Sequence, residues 1–320
     1  MAYRGSGGAS RHLGWVDRTG KAVGVAGEPD ANDLRYPELS PDGRRVAMTR
    51  TVQANQDVWL LDVVRGGMTR LTFDAANDVD PLWSPDGSRI AFNSNRTGVY
   101  GLYLKPSNGS GAEERLVDSP NTTTAQDWSA DGRWLLYYEI HPTTGRDLWA
   151  LDITSPDRPS ASSGRPEPVE GHTPRVVANT PAAELLVQFS PDGRWVAYQT
   201  NESGRFEVVV QPFPDAGGKW QVSTAGGVAP RWRADGKELY FLAPDAPMVA
   251  VPVTAADTSF TAGTPMALFP TRIVNGGSVA NNRPQYAVAR DGRFLINQSV
   301  GDATAAPITL ILNWNPEAKK

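Results

Sequence analysis

Three acidic residues, Glu38, Asp80 and Asp127, are the groups in this chain best placed to do chemistry. Each precedes an Asp-Gly turn by four or six residues. Carboxylates held about 5–9.5 Å apart are what glycoside hydrolysis requires, one as acid and one as nucleophile or base. Two other segments, Ser129-x-Asp131-x-x-Trp134 and Ser190-x-Asp192-x-x-Trp195, partly match sialidase-type Asp boxes. Their aspartates recur at one place in every copy of a repeat, which points to turn capping. The three histidines, His12, His141 and His172, are scattered, whereas a metal site needs His and acids that converge. Surface or structural roles are expected for all three. There is no cysteine, so disulfides, thiolate metal sites and a cysteine nucleophile are excluded. No catalytic residue, metal ligand or cofactor is expected.

The elements that position these residues come from a repeat. Leu39-Ser-Pro-Asp-Gly-Arg-Arg-Val-Ala-Met48 returns as Trp83-Ser-Pro-Asp-Gly-Ser-Arg-Ile-Ala-Phe92 and as Trp128-Ser-Ala-Asp-Gly-Arg-Trp-Leu-Leu-Tyr137. It appears again as Phe189-Ser-Pro-Asp-Gly-Arg-Trp-Val-Ala-Tyr198, with degenerate copies starting at Trp232 and Val288. The turn aspartates are Asp42, Asp86, Asp131, Asp192, Asp235 and Asp291, at intervals of 44, 45, 61, 43 and 56. Pro fixes φ for the turn, Asp caps backbone N–H groups, and Gly supplies a positive φ. Alternating apolar residues on both sides read as a hairpin, followed by a third apolar run and a weaker fourth. Four short strands per repeat of this length make a propeller blade. The 31 Gly and 26 Pro fit a chain of many short strands.

The expected fold is therefore all-β, a propeller of four-stranded antiparallel blades. The N-terminal runs at His12–Arg18 and Ala22–Ala26 lack a hairpin of their own, and the apolar run 307–314 follows the sixth. Joining the two ends in one composite blade gives six blades. A separate seventh blade is the alternative if the first four residues form a strand. Residues 1–12 read as a tail, 13–316 as one propeller domain with a Pro/Ser-rich insertion at 155–174, and 317–320 as a second tail. A second polar insertion runs from Asn275 to Arg283.

Aligned on the turn, positions where the copies differ carry the functional information. Four residues before each Asp stand Glu38, Leu82, Asp127, Gln188, Arg231 and Ala287. Two further back stand Tyr36, Asp80, Ala125, Leu186, Ala229 and Gln285. The first strand of each blade lines the channel, and alternate residues face it. The variable polar set Tyr36, Glu38, Asp80, Asp127, Gln188, Arg231 and Gln285 is the candidate ligand site on the axis or at its mouth. Trp83, Trp128, Phe189 and Trp232 share one repeat position and read as core between blades. A net charge of −4 with no basic cluster points away from nucleic acid. No apolar run is long enough to cross a membrane, and no signal peptide is expected.

The Ser-Pro-Asp-Gly cores resemble the TolB-like propeller repeat, from about Leu13 to Trp314. Residues 13–21 and 308–314 are also similar to the C-terminal propeller regions of bacterial transmembrane serine/threonine kinases. No kinase motif and no Gly-x-Ser-x-Gly elbow accompanies them. The resemblance implies a non-catalytic sensor or scaffold, a monomeric domain of a larger signalling protein, lying outside the cytoplasm. Its ligand would be a protein, a peptide or a small polar molecule. The competing expectation is a glycan hydrolase or lyase using the channel carboxylates.

Overall fold

The computed structural model describes residues 2–3, 10–154, 174–215, 217–256, 259–274, 283–300 and 309–310. Among these residues the regular structure is all strand, arranged as six antiparallel blades. Blade one comprises Arg35–Leu39, Arg45–Val52, Asn55–Asp62 and Met68–Arg70, hydrogen-bonded in that order. Blades two, three and four repeat this plan, with inner strands Asp78–Trp83, Thr123–Trp128 and Glu184–Phe189. Blade five departs from it: its third strand, Pro247–Ala255, pairs with two short outer strands, Phe260–Ala262 and Met266–Pro270.

Blade six is the composite that the two chain ends were expected to make. Tyr286–Val288 and Phe294–Ser299 supply its inner half, and Arg11–Val16 and Ala22–Asp30 its outer half. The seam runs from Arg11 opposite Ser299 to Val16 opposite Phe294. Closing the ring this way leaves no open sheet edge between first and last blade. The seventh-blade alternative is not realised: Ala2–Tyr3 pairs with Thr309–Leu310 in a separate two-stranded ladder. That pairing takes two residues of the run 307–314, and the rest lies outside the described residues, as do 155–173 of the first insertion and His172.

Each turn is built as its sequence dictates. In blade two the Ser84 hydroxyl donates to Asp86 Oδ1 (2.6 Å) and accepts from the Arg89 N–H (2.9 Å). Asp86 also accepts from the Ser88 N–H (3.0 Å), and Gly87 sits at φ +71°. These bonds hold the Asp86 carboxyl down at about 2, the Ser84 hydroxyl being the largest contributor. The same Ser–Asp contact recurs at Ser40–Asp42, Ser129–Asp131 and Ser190–Asp192. These four aspartates are thus tied into their turns by the hydroxyl two residues before them.

The core lies between blades. Ala47, Val58 and Leu60 of blade one pack with Trp83, Phe92 and Tyr103 of blade two, all buried. Trp83, Trp128, Phe189 and Trp232 are each at most 6% exposed, in the inter-blade layers where their shared repeat position puts them. Burying one such aromatic contributes about 1.5–3 kcal/mol.

The axial mouth as candidate functional site

The inner strands stand side by side around the axis, but they do not alternate simply. In blades one to five the inner ladder shifts register, between Arg35 and Glu38, Val79 and Leu82, Ala125 and Asp127, Leu185 and Gln188, and Val228 and Arg231. Each shift is a β-bulge that leaves an inner-strand N–H without a ladder partner. At four of the bulges the residue six before the turn Asp takes positive φ: Tyr36, Asp80, Leu186 and Ala229. A neighbouring side chain satisfies the freed N–H in four places. Gln285 Oε1 accepts from Tyr36 (3.2 Å), Thr49 Oγ1 from Asp80 (3.1 Å), Asn93 Oδ1 from Ala125 (3.1 Å) and Gln199 Oε1 from Ala229 (2.9 Å).

The sequence-selected residues divide accordingly. Tyr36, Asp80 and Gln285 belong to this layer of stitches between blades. Asp80 is 1% exposed and accepts from Asn93 (2.9 Å) through one oxygen, while its other oxygen has no partner. Burial pushes its carboxyl up to about 6, against the pull of Arg283 and Asn93. Asp127 and Gln188 stitch one level nearer the turns. Asp127 Oδ2 accepts from the Phe189 N–H (2.7 Å) and Gln188 Oε1 from the Trp232 N–H (2.7 Å). Asp and Gln serve equally as acceptors, so part of the variability at this position reflects interchangeable stitching rather than ligand recognition.

Glu38 and Arg231 come together. Arg231 Nη2 lies 2.9 Å from Glu38 Oε2, and a second arginine, Arg283, reaches the same oxygen at 3.0 Å. Burial raises the Glu38 carboxyl, and the two guanidinium groups outweigh it, holding the pKa below the ordinary carboxylate value. Asp127 lies within electrostatic reach of Arg231 and Glu38. Burial pushes it up to about 7, against the Phe189 N–H and Arg231. Arg231 Nε is buried and has no partner.

A pocket of about 530 Å³ opens beside this cluster. Glu38, Gln188, Arg231 and Ala287 line its axial side, and the turns of blades one and six its outer side. Similar grooves of about 260 and 600 Å³ lie between the turns of blades two and three and of blades four and five. Of these three, only the groove between blades six and one reaches Glu38 and Arg231. Its outer wall includes Arg290, which is exposed and stands where the other copies carry Pro41, Pro85, Ala130, Pro191 and Ala234. Aligning the repeats on the turn contains that signal; Arg283, from the polar insertion, leaves none. His141 is exposed at the blade-three hairpin, and the described residues hold no group of three or more His or acidic residues able to bind a metal.

The raised carboxyls make stability depend on pH. A carboxyl whose folded pKa is raised contributes stability that is complete below its unfolded pKa, about 3.9, and lost as pH rises through the folded value. For Asp127 and Asp80 that loss spans pH 4 to about 7 and about 6 respectively. The thermal midpoint should therefore rise on going from pH 8 to pH 6, and Asp127→Asn should flatten the upper part of that rise. Below pH 4 the sign reverses, because the depressed turn carboxyls such as Asp86 lose their contribution as pH falls toward about 2. A midpoint that climbs steadily from pH 6 to pH 8 in a melting series would contradict the burial of Asp127.

Comparison with known proteins agrees with this architecture. The family model for the TolB beta propeller domain matches residues 19–164. The chain is 27% identical over 198 residues to an uncharacterized peptidase, YuxL, of Bacillus subtilis, covering 52% of this chain and 29% of that protein. It is 32% identical over 117 residues to tricorn protease homolog 1 of Streptomyces coelicolor, covering 37% and 10%. The match thus spans less than a third of either relative. Among solved structures, a putative TolB from Agrobacterium tumefaciens superimposes with a TM-score of 0.64 at 17% identity, over 92% of this chain and 99% of that one. TolB from Acinetobacter baumannii gives 0.56 at 16% identity, over 80% and 63%. At such identities the likeness concerns the fold alone.

Proposed function

We propose that this six-bladed β-propeller, whose residues 19–164 match the TolB beta propeller domain, is a non-catalytic binding module whose axial mouth receives a peptide segment of a protein partner or a small polar ligand. The observation that carries this reading is a pocket of ligand size lined by Glu38, Gln188 and Arg231 and bordered by the exposed Arg290. Glu38, Gln188 and Arg231 would touch the ligand. Tyr36, Asp80, Asp127 and Gln285 hold the wall behind them. A glycan hydrolase needs a free carboxylate beside a protonated one. Glu38 is instead held by two guanidinium groups, which favours binding over hydrolysis.

In this reading the module is a monomer outside the cytoplasm, a sensor or scaffold within a larger signalling chain of the receptor-kinase type. The likeness of residues 13–21 and 308–314 to such propeller regions supports it.

Panning a displayed random-peptide library against the wild-type chain tests the reading. Selected peptides should lose about tenfold or more in affinity to Arg290→Glu, a charge reversal at an exposed rim position, consistent with loss of one charge-assisted contact. Asp235→Asn, in the groove between blades four and five, should leave affinity unchanged. Binders indifferent to Arg290→Glu but sensitive to Asp235→Asn would move the site off the axis. Hydrolysis of a glycan by the wild type would overturn the non-catalytic reading.

A further inference from the structure

Arg283 crosses the axis. It enters ahead of the inner strand of blade six and is 1% exposed. Its Nη1 donates to the carbonyl oxygens of Ala125 (3.0 Å) and Gln126 (2.9 Å) on blade three, the blade diametrically opposite in a ring of six. Its Nη2 donates to Glu38 Oε2 (3.0 Å) on blade one. Two adjacent carbonyls and a carboxylate thus converge on one planar guanidinium, an arrangement that suits the fixed fork of arginine better than the single nitrogen of lysine.

Two features separate this contact from an ordinary structural ion pair. Arg283 belongs to no repeat; it lies in the insertion that stretches one interval to 56 residues, while its three acceptors sit on regular inner strands. Glu38 also has a cation without it, since Arg231 lies 2.9 Å from the same oxygen. Removing Arg283 leaves the Glu38–Arg231 pair intact and leaves the Ala125 and Gln126 carbonyls without this donor. Another guanidinium would restore the same three bonds and the same net charge.

We propose that Glu38 and the carbonyls of Ala125 and Gln126 form a guanidinium-binding site that Arg283 fills in cis, and that an arginine side chain of a peptide ligand takes its place. The proposal rests on the axial reading above, because Glu38 lines the mouth as well as this site. Arg283 then acts as an internal competitor, so ligand affinity is set against the cost of displacing it.

Chemical rescue tests the site without any peptide. Arg283→Ala should melt below wild type, and millimolar methylguanidinium should raise its midpoint saturably, by about 2 °C or more. Wild type, whose site is full, should show no such rise. Arg283→Met keeps the apolar stem and serves as the second variant should the alanine chain not fold. Acetyl-arginine amide should bind the variants about tenfold or more tightly than acetyl-lysine amide, as the bidentate geometry requires. Absence of saturable stabilisation in both variants, or equal binding of the lysine analogue, would overturn the proposal. Either failure would leave the peptide result at Arg290 untouched, so the two readings fail separately.

Discussion

Replacing Glu38 by alanine will destabilise the propeller by about 3 kcal/mol or more, because it removes the carboxylate that both buried arginines contact directly and leaves only the more distant Asp127 and Asp80 as counter-charges. Arg231 is 6% and Arg283 1% exposed, and both reach the same oxygen of Glu38. The pair and the surplus cation are worth little net stability compared with an apolar core of equal volume; breaking them is what costs. The loss should shrink in Glu38→Gln, which keeps an acceptor oxygen, and should reverse in part when Arg283→Met is added to Glu38→Ala. That ordering, read from urea denaturation midpoints of the four chains, separates charge imbalance from lost packing. An alanine variant within about 1 kcal/mol of wild type would mean that water reaches both guanidinium groups, contrary to their burial.

The second large effect concerns the clasp. Phe294 begins the strand of blade six that meets the N-terminal strand, and it is fully buried. Its ring packs edge-on against Tyr240 (5.0 Å) and Phe269 (5.5 Å) of blade five. Phe294→Ala should cost about 3–5 kcal/mol, the range for emptying an aromatic site in a packed core. Because the ring also ties blade six to blade five, loosening it should expose the Arg11–Val16 seam to hydrogen exchange before the rest of the molecule. Measured protection that falls equally in all six blades would contradict a clasp that opens first.

The sequence makes the fold legible because its signals are local. A Ser-x-Asp-Gly turn, a large residue before it and an apolar alternation after it each act within ten residues, and the 44-residue spacing repeats them. The clasp is legible for the same reason, since the strands at Arg11–Val16 and Phe294–Ser299 each find a partner for only one edge within their own end of the chain. The axial site is less so. Strict alternation does not foresee the bulges, which put Tyr36, Asp80, Leu186 and Ala229 at positive φ and hand the N–H groups of Tyr36, Asp80, Ala125 and Ala229 to other side chains. Asp127 and Gln188 look like recognition residues by their variability, yet each accepts a backbone N–H from the next blade. Arg283 is invisible at the sequence level because nothing local marks an insertion residue that bonds to partners 157 and 245 positions away.

The most direct measurement is a crystal structure of the wild-type chain with a peptide selected on it. The account predicts ordered peptide density over the mouth, with polar contacts to Glu38, Gln188, Arg231 or Arg290. Peptide density confined to the outer rim, or to the groove between blades four and five, with the mouth filled by water alone, would contradict it.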